Sequence, residues 1–209
     1  MKQLIVITTP TCFEGEAACI NTLFAHGLMR LHLRKPKESE DTIETLLKQI
    51  DSNYHARIVL HDAFDLINRY AVGGLHLNSR NRLPLKQFKG SISRSCHSLE
   101  ELETYKTYDY LLLSPIYNSI SKEGYGSTFS PTELKQAEKA GIITPRIIAL
   151  GGIDATAIKE LQPSAFGGVA VLGALWGDID NLKNDASEIT ATAIQSLIDR
   201  FELLKTALK

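Results

Sequence analysis

The stretch RSCHSLEEL, residues 94–102, sets Ser95 and His97 two apart, just before a helix start signalled by Ser98 and Glu101. That Ser-x-x-Glu spacing is a capping box. A histidine fixed at such a boundary is suited to moving a proton as a general acid or base. Groups able to grip an anion stand elsewhere. Arg34 ends the run RLHLR, and Lys122 sits in YNSISKEGYGST with Ser119 and Ser121. Guanidinium and ammonium groups suit phosphate oxygens. Lys35 is a further candidate, whereas Lys37 reads as surface. Asp62, at the end of RIVLHD, could hold a magnesium ion together with phosphate oxygens, or could cap a helix. Gly151 and Gly152 in ALGGID, and Gly173 in VAVLGAL, each follow an apolar run and open a helix. Glycine lets main-chain N–H groups approach a ligand, and a helix start attracts an anion. His61, His76 and His97 lack the spacing of a metal-ligand set. His32 belongs either to a barrel interior or to the layer outside it.

Something must bring these scattered residues together. Eight β-rich runs recur, at 4–8, 30–34, 57–62, 74–78, 91–96, 108–115, 146–152 and 167–173. Several are nearly continuous apolar runs, as expected of strands buried on both faces. Between them, 14–27, 39–51, 63–71, 98–106, 130–140 and 154–162 read as helices, with a longer one over 185–208. Ser39, Ser130 and Asp154 are the expected N-caps, and Pro131 suits a first helical position. Eight strand–helix units predict a (β/α)₈ TIM barrel, a single domain over 1–209. A doubly wound open sheet shares the alternation, but no G-x-G-x-x-G follows the first strand. In a barrel the chemistry lies at the C-terminal ends of the strands. Most of the candidates above fall at such ends.

The bulk numbers exclude several classes. A net charge of −1 with interspersed signs gives no footprint for nucleic acid or an anionic membrane. No segment approaches the roughly 20 apolar residues of a membrane span. Three cysteines without a C-x-x-C argue against a disulfide framework or a structural zinc site. The expected setting is soluble, reducing and cytoplasmic. The expected partners are small phosphorylated molecules and, at most, a second copy of the chain in a homodimer.

In LHLRK, LHDAFDLI, GLHLNS, SCHSLEEL, SPIYNSISKEGYG, ALGGI and VAVLGAL, taken in order, the chain resembles the thiamine phosphate synthases and their relatives, the TenI-like thiazole tautomerases. The resemblance covers roughly residues 3–180. It implies an enzyme that joins hydroxymethylpyrimidine diphosphate to thiazole phosphate with release of pyrophosphate. Arg34 and Lys122 would grip the diphosphate with Ser95, Ser119 and Ser121. Gly151, Gly152 and Gly173 would hold the thiazole phosphate. Asp62 would bind Mg²⁺, and His61 and His76 would line the substrate pocket. The synthase pattern has an asparagine where His61 stands and a lysine where Pro36 stands, with Lys35 as its neighbouring substitute. The second magnesium carboxylate falls at Asn81, which is neutral. RSCHSLEEL lies nearer the tautomerase branch, in which His97 would move the proton that aromatises the thiazole carboxylate phosphate without metal. The retained Arg34, Asp62, Ser119, Ser121 and Lys122 favour the synthase. The alternatives are the tautomerase and a non-catalytic thiamine-phosphate sensor.

Overall fold

In a computed structural model, residues 3–83, 87–118, 129–177 and 190–209 are described. Eight parallel strands close into a barrel in sequence order. They are β1 (Gln3–Ile7), β2 (Arg30–Leu33), β3 (Ile58–Leu60), β4 (Gly74–Leu77), β5 (Ser91–Cys96), β6 (Tyr110–Leu113), β7 (Ile147–Leu150) and β8 (Gly168–Val171). The first and last strands pair, with Val6 opposite Val171. That closure excludes the open sheet. Each predicted strand is present, though most are shorter than their apolar runs: the run 108–115 contributes only Tyr110–Leu113 to the ladder.

The helices are α1 (Glu16–Ala25), α2 (Glu40–Gln49), α3 (Leu99–Thr104), α4 (Pro131–Lys139), α5 (Ala155–Leu161), α6 (Gly173–Trp176) and α7 (Ala191–Ala207). Ser39, Ser98, Ser130, Asp154 and Thr190 cap five of them by accepting a main-chain N–H. At Ser130 the full capping box forms with Glu133. The segment 63–71 is not an α-helix. It holds a 3₁₀ turn, Phe64–Asn68, entered through Ala63 at φ 54°. A left-handed residue at the entry and a span of only five residues leave no room for a regular helix. A second 3₁₀ turn, Ser52–Arg57, precedes β3.

Two apolar layers hold the barrel. Outward-facing strand residues such as Leu31, Leu33, Leu75, Leu77, Leu111 and Val169 pack against the helices. The inner cluster is small: Ile5, Ile7, Tyr110, Leu112, Ile148 and Ala170. These come from β1, β6, β7 and β8. The opposite arc of the interior is polar, with His32, His76 and Ser93 all buried on β2, β4 and β5. Barrel interiors are ordinarily filled by bulky branched residues, so half of this one departs from the rule. At the seam between β8 and β1, the buried Trp176 donates its indole N–H to the Ile7 carbonyl at 2.8 Å.

Candidate active site

A cavity of about 500 Å³ opens at the C-terminal ends of the strands. Arg34, His61, His76, Ser95 and His97, all singled out in the sequence, line it. Arg34 is placed by β1: its main-chain N–H donates to Thr8 Oγ1 at 2.9 Å, and that hydroxyl contacts the Arg34 carbonyl at 3.2 Å. The threonine hydroxyl thus ties the end of β2 to the end of β1, beside the cavity that Arg34 lines.

His97 lies outside the last residue of β5, exposed at the rim. Its Nδ1 is 2.9 Å from the Ser114 carbonyl at the end of β6. A carbonyl only accepts, so Nδ1 carries a proton, and in the neutral ring the lone pair is that of Nε2. The Glu101 carboxylate accepts the His97 main-chain N–H at 2.5 Å. The expected capping box is therefore modified: Ser98 caps the Glu101 N–H, but Glu101 reaches back one residue further, to His97.

Asp62 is neither a helix cap nor a free carboxylate. Its two oxygens accept from Arg80 Nε at 2.8 Å and Nη2 at 3.1 Å, and the cap position of the following turn is Ala63. Asn81 spends its amide on the His61 carbonyl at 3.2 Å. Asn78 donates to the same carbonyl at 2.6 Å, and its own carbonyl oxygen accepts from the main chain of Arg80 and Asn81. The loop after β4 is thereby pinned against the end of β3, which delivers Arg80 to the cavity. Arg80 carries no signal of its own in the sequence, being a loop arginine without pattern around it.

Lys35 is removed from the candidate set. It is buried, and its ammonium lies 2.7 Å from both oxygens of the equally buried Glu16. It also donates to the Thr11 carbonyl at 2.8 Å. A lysine pointing into that pocket under the first loop is a structural ion pair, not a phosphate ligand. Lys37 is exposed, as expected.

The glycines adjoin the cavity without lining it. Gly151 and Gly152 follow the cavity residue Leu150, and Gly173 follows Leu172. Gly151 and Gly152 have φ of 94° and 66°, and a Cβ on Gly152 would stand 2.3 Å from the Asn118 carbonyl oxygen. Positive φ and the close approach of the β6 loop both demand glycine here. Ser119, Ser121 and Lys122 lie outside the described residues.

The histidines are the main surprise. His32 points into the barrel. Its Nδ1 is 2.9 Å from His61 Nε2, and its Nε2 is 2.6 Å from the Tyr110 hydroxyl. His76 lies between two serines, with Ser93 Oγ 2.9 Å from Nδ1 and Ser95 Oγ 3.0 Å from Nε2. The rings of His61 and His76 stack at 4.1 Å. Burial, with the nearby Arg94 and Arg34, pushes the His76 imidazole down to about 3. Burial and charged neighbours hold His32 and His61 far below the ordinary histidine range as well. All three are neutral at pH 7, so the positive charge of the cavity comes from its arginines.

Comparison with known proteins gives a consistent neighbourhood. A family model described as thiamine monophosphate synthase (TMP-TENI) matches residues 4–175. A thiamine-phosphate synthase from Listeria monocytogenes is 28% identical over 137 residues, 61% of this chain and 63% of the relative, so the match spans less than two thirds of that protein. One from Methanococcus maripaludis is 24% identical over 193 residues, 88% of this chain and 91% of the relative. Among solved structures, a thiamine phosphate pyrophosphorylase from Bacteroides thetaiotaomicron superposes with a TM-score of 0.84 at 40% identity, covering 98% of this chain and 96% of the other.

Proposed function

Because this chain belongs to the thiamine monophosphate synthase family, we propose that it joins a pyrimidine methyl diphosphate to thiazole phosphate, with release of pyrophosphate. The observation that carries this reading is a cavity at the strand ends, where Arg34 and Arg80 converge with Ser95 and His97. A C–O bond to the diphosphate breaks, and the thiazole nitrogen supplies the electron pair of the new C–N bond. Charge builds on the departing diphosphate, so fixed cations beside it lower the barrier most. Arg34 stands at the end of β2 with its main chain held by Thr8; Arg80, its guanidinium bound by Asp62, reaches the same space from the β4 loop. Ser95, its hydroxyl oriented by His76, is placed to bond a phosphate oxygen. Lys122, Ser119 and Ser121 complete the grip in this reading, and the turns at Gly151–Gly152 and Gly173 take the thiazole phosphate.

The family implies Mg²⁺, and the residues present do not fit it. Magnesium takes hard oxygen ligands, usually one or two carboxylates with phosphate oxygens. Here Asp62 is bound through both oxygens by Arg80, and Asn81 is neutral and turned onto the His61 carbonyl.

One observation favours a second reading. His97 has its proton fixed on Nδ1 by the Ser114 carbonyl, which leaves Nε2 as a base at the rim. A proton shift on a thiazole carboxylate phosphate needs such a group. The deciding experiment incubates purified protein with thiazole phosphate and pyrimidine diphosphate, and separately with the unaromatised thiazole carboxylate phosphate. Thiamine phosphate and pyrophosphate appearing together support the synthase. Aromatisation alone replaces it with the tautomerase, and turnover in neither mixture overturns both.

A further inference from the structure

Arg34 stands one residue past the end of β2 and lines the cavity. Among the described residues its guanidinium makes no hydrogen bond or ion pair; the hydrogen bonds of Arg34 are those of its main chain with Thr8. The place of that side chain is therefore set by its backbone. Past the end of a strand no ladder holds the chain, and loop residues are the more mobile ones. Another support must fix Arg34, and the next residue is Lys35.

The side chains of Lys35 and Glu16 are wholly buried. The ammonium lies 2.7 Å from both carboxylate oxygens, 2.8 Å from the Thr11 carbonyl and 3.3 Å from Thr9 Oγ1. Its three N–H donors are thus all engaged. Glu16 opens α1, and Thr9 and Thr11 belong to the loop after β1. A second strut joins the same two loops. Glu38 donates its N–H to the Lys35 carbonyl at 3.2 Å, and its carboxylate accepts the Cys12 N–H at 2.9 Å. Pro36 confines Lys35 to an extended backbone. Neighbours in an extended chain point to opposite sides, so Lys35, buried under the first loop, leaves Arg34 to the side of the cavity. Net stability is a weak reason for such a pair, because apolar residues of similar volume often serve as well or better. What the ion pair adds is a fixed geometry between two loops.

We propose that Lys35 and Glu16 are positioning residues for anion binding: the pair clamps the loop after β2 to the loop after β1 and so holds Arg34 where it meets the diphosphate of the substrate. Lys35 itself does not touch the ligand. The inference rests on the reading that Arg34 grips that group, but its readout is binding rather than turnover.

The test is a double-mutant cycle on the full-length protein, with inorganic pyrophosphate as the probe and calorimetry at constant ionic strength. Glu16→Met with Lys35→Met removes the pair and strands no charge; circular dichroism and the urea midpoint check folding. Glu16→Gln with Lys35→Met serves if the methionine pair does not fold. Either change should raise the Kd for pyrophosphate by about tenfold. Arg34→Gln should raise it by about tenfold or more, with Arg80 still present to keep binding measurable. In the Arg34→Gln background, breaking the pair should alter Kd by less than about twofold, because the residue it positions is gone. Full affinity in a folded pair variant would overturn the role. So would the same loss with and without Arg34, which would make the pair a general support of the barrel. No pyrophosphate binding by the wild type, or undiminished affinity in Arg34→Gln, would overturn the reading of Arg34 and the positioning role with it. The expected cycle without any coupled product would uphold the role and count against the reaction alone.

Discussion

At the scale of single residues, the proposed chemistry falls on His97 and Arg34. The Ser114 carbonyl fixes the tautomer of His97, while Thr8 fixes the backbone beneath Arg34. If His97 acts only as pocket wall in coupling, His97→Asn lowers coupling less than about tenfold but lowers any tautomerisation by about 10²–10⁴. Product analysis of both reactions with one variant preparation checks this; equal losses in the two would reject the division of roles. Arg34 was legible because it closes a strand, and His97 because a capping signal follows it. Arg80 was not legible. Its place depends on Asn78 and Asn81 folding a loop back onto the end of β3, which no spacing rule encodes. His32 was half legible: it shares a face with Arg34, but both faces of a barrel strand are buried, so alternation alone does not say which faces inward.

At the scale of elements, strands and helices followed the sequence because their signals are local. Short β-rich runs of three to six residues made strands, and Ser, Thr and Asp caps set five of the helix starts. The exception, residues 63–71, failed because the left-handed Ala63 and a short span select a 3₁₀ turn, a preference that composition does not display. Contacts between elements were invisible in the chain. Lys35 looked like a phosphate ligand until the fold put Glu16 of α1 beneath it. That pair is fully buried, so removing one partner strands the other. Glu16→Gln should cost about 3–5 kcal/mol, read as a lower urea midpoint at unchanged slope. Replacing both residues by methionine should recover most of the loss. A Glu16→Gln protein as stable as the wild type would show that the pair does not hold the first loop to the barrel.

At the scale of the whole molecule, the interior is split between an apolar arc and an imidazole arc, and that split makes stability depend on pH. In the unfolded chain each histidine titrates near 6.5, whereas His76 falls to about 3 in the fold and His32 and His61 shift the same way. Below about pH 6.5 the unfolded state therefore binds more protons than the native state. The stability these groups contribute is present above that pH and is lost as pH falls. One pH unit below the unfolded value, His76 alone has withdrawn roughly 1 kcal/mol, and His32 and His61 act in the same direction. Urea unfolding at about pH 7.5 and 5.5 measures the sum, and His76→Gln should remove one share of it. A flat profile over that interval would mean that the three rings are not held neutral. Trp176 bears on how such unfolding is watched. It is the chain's sole tryptophan, and its indole bridges to Ile7 where the first and last strands meet. Its intrinsic fluorescence is thus a reporter placed on the closing seam. Emission should be blue-shifted in the native protein and move to longer wavelength when β8 parts from β1, even while the remaining strands stay paired.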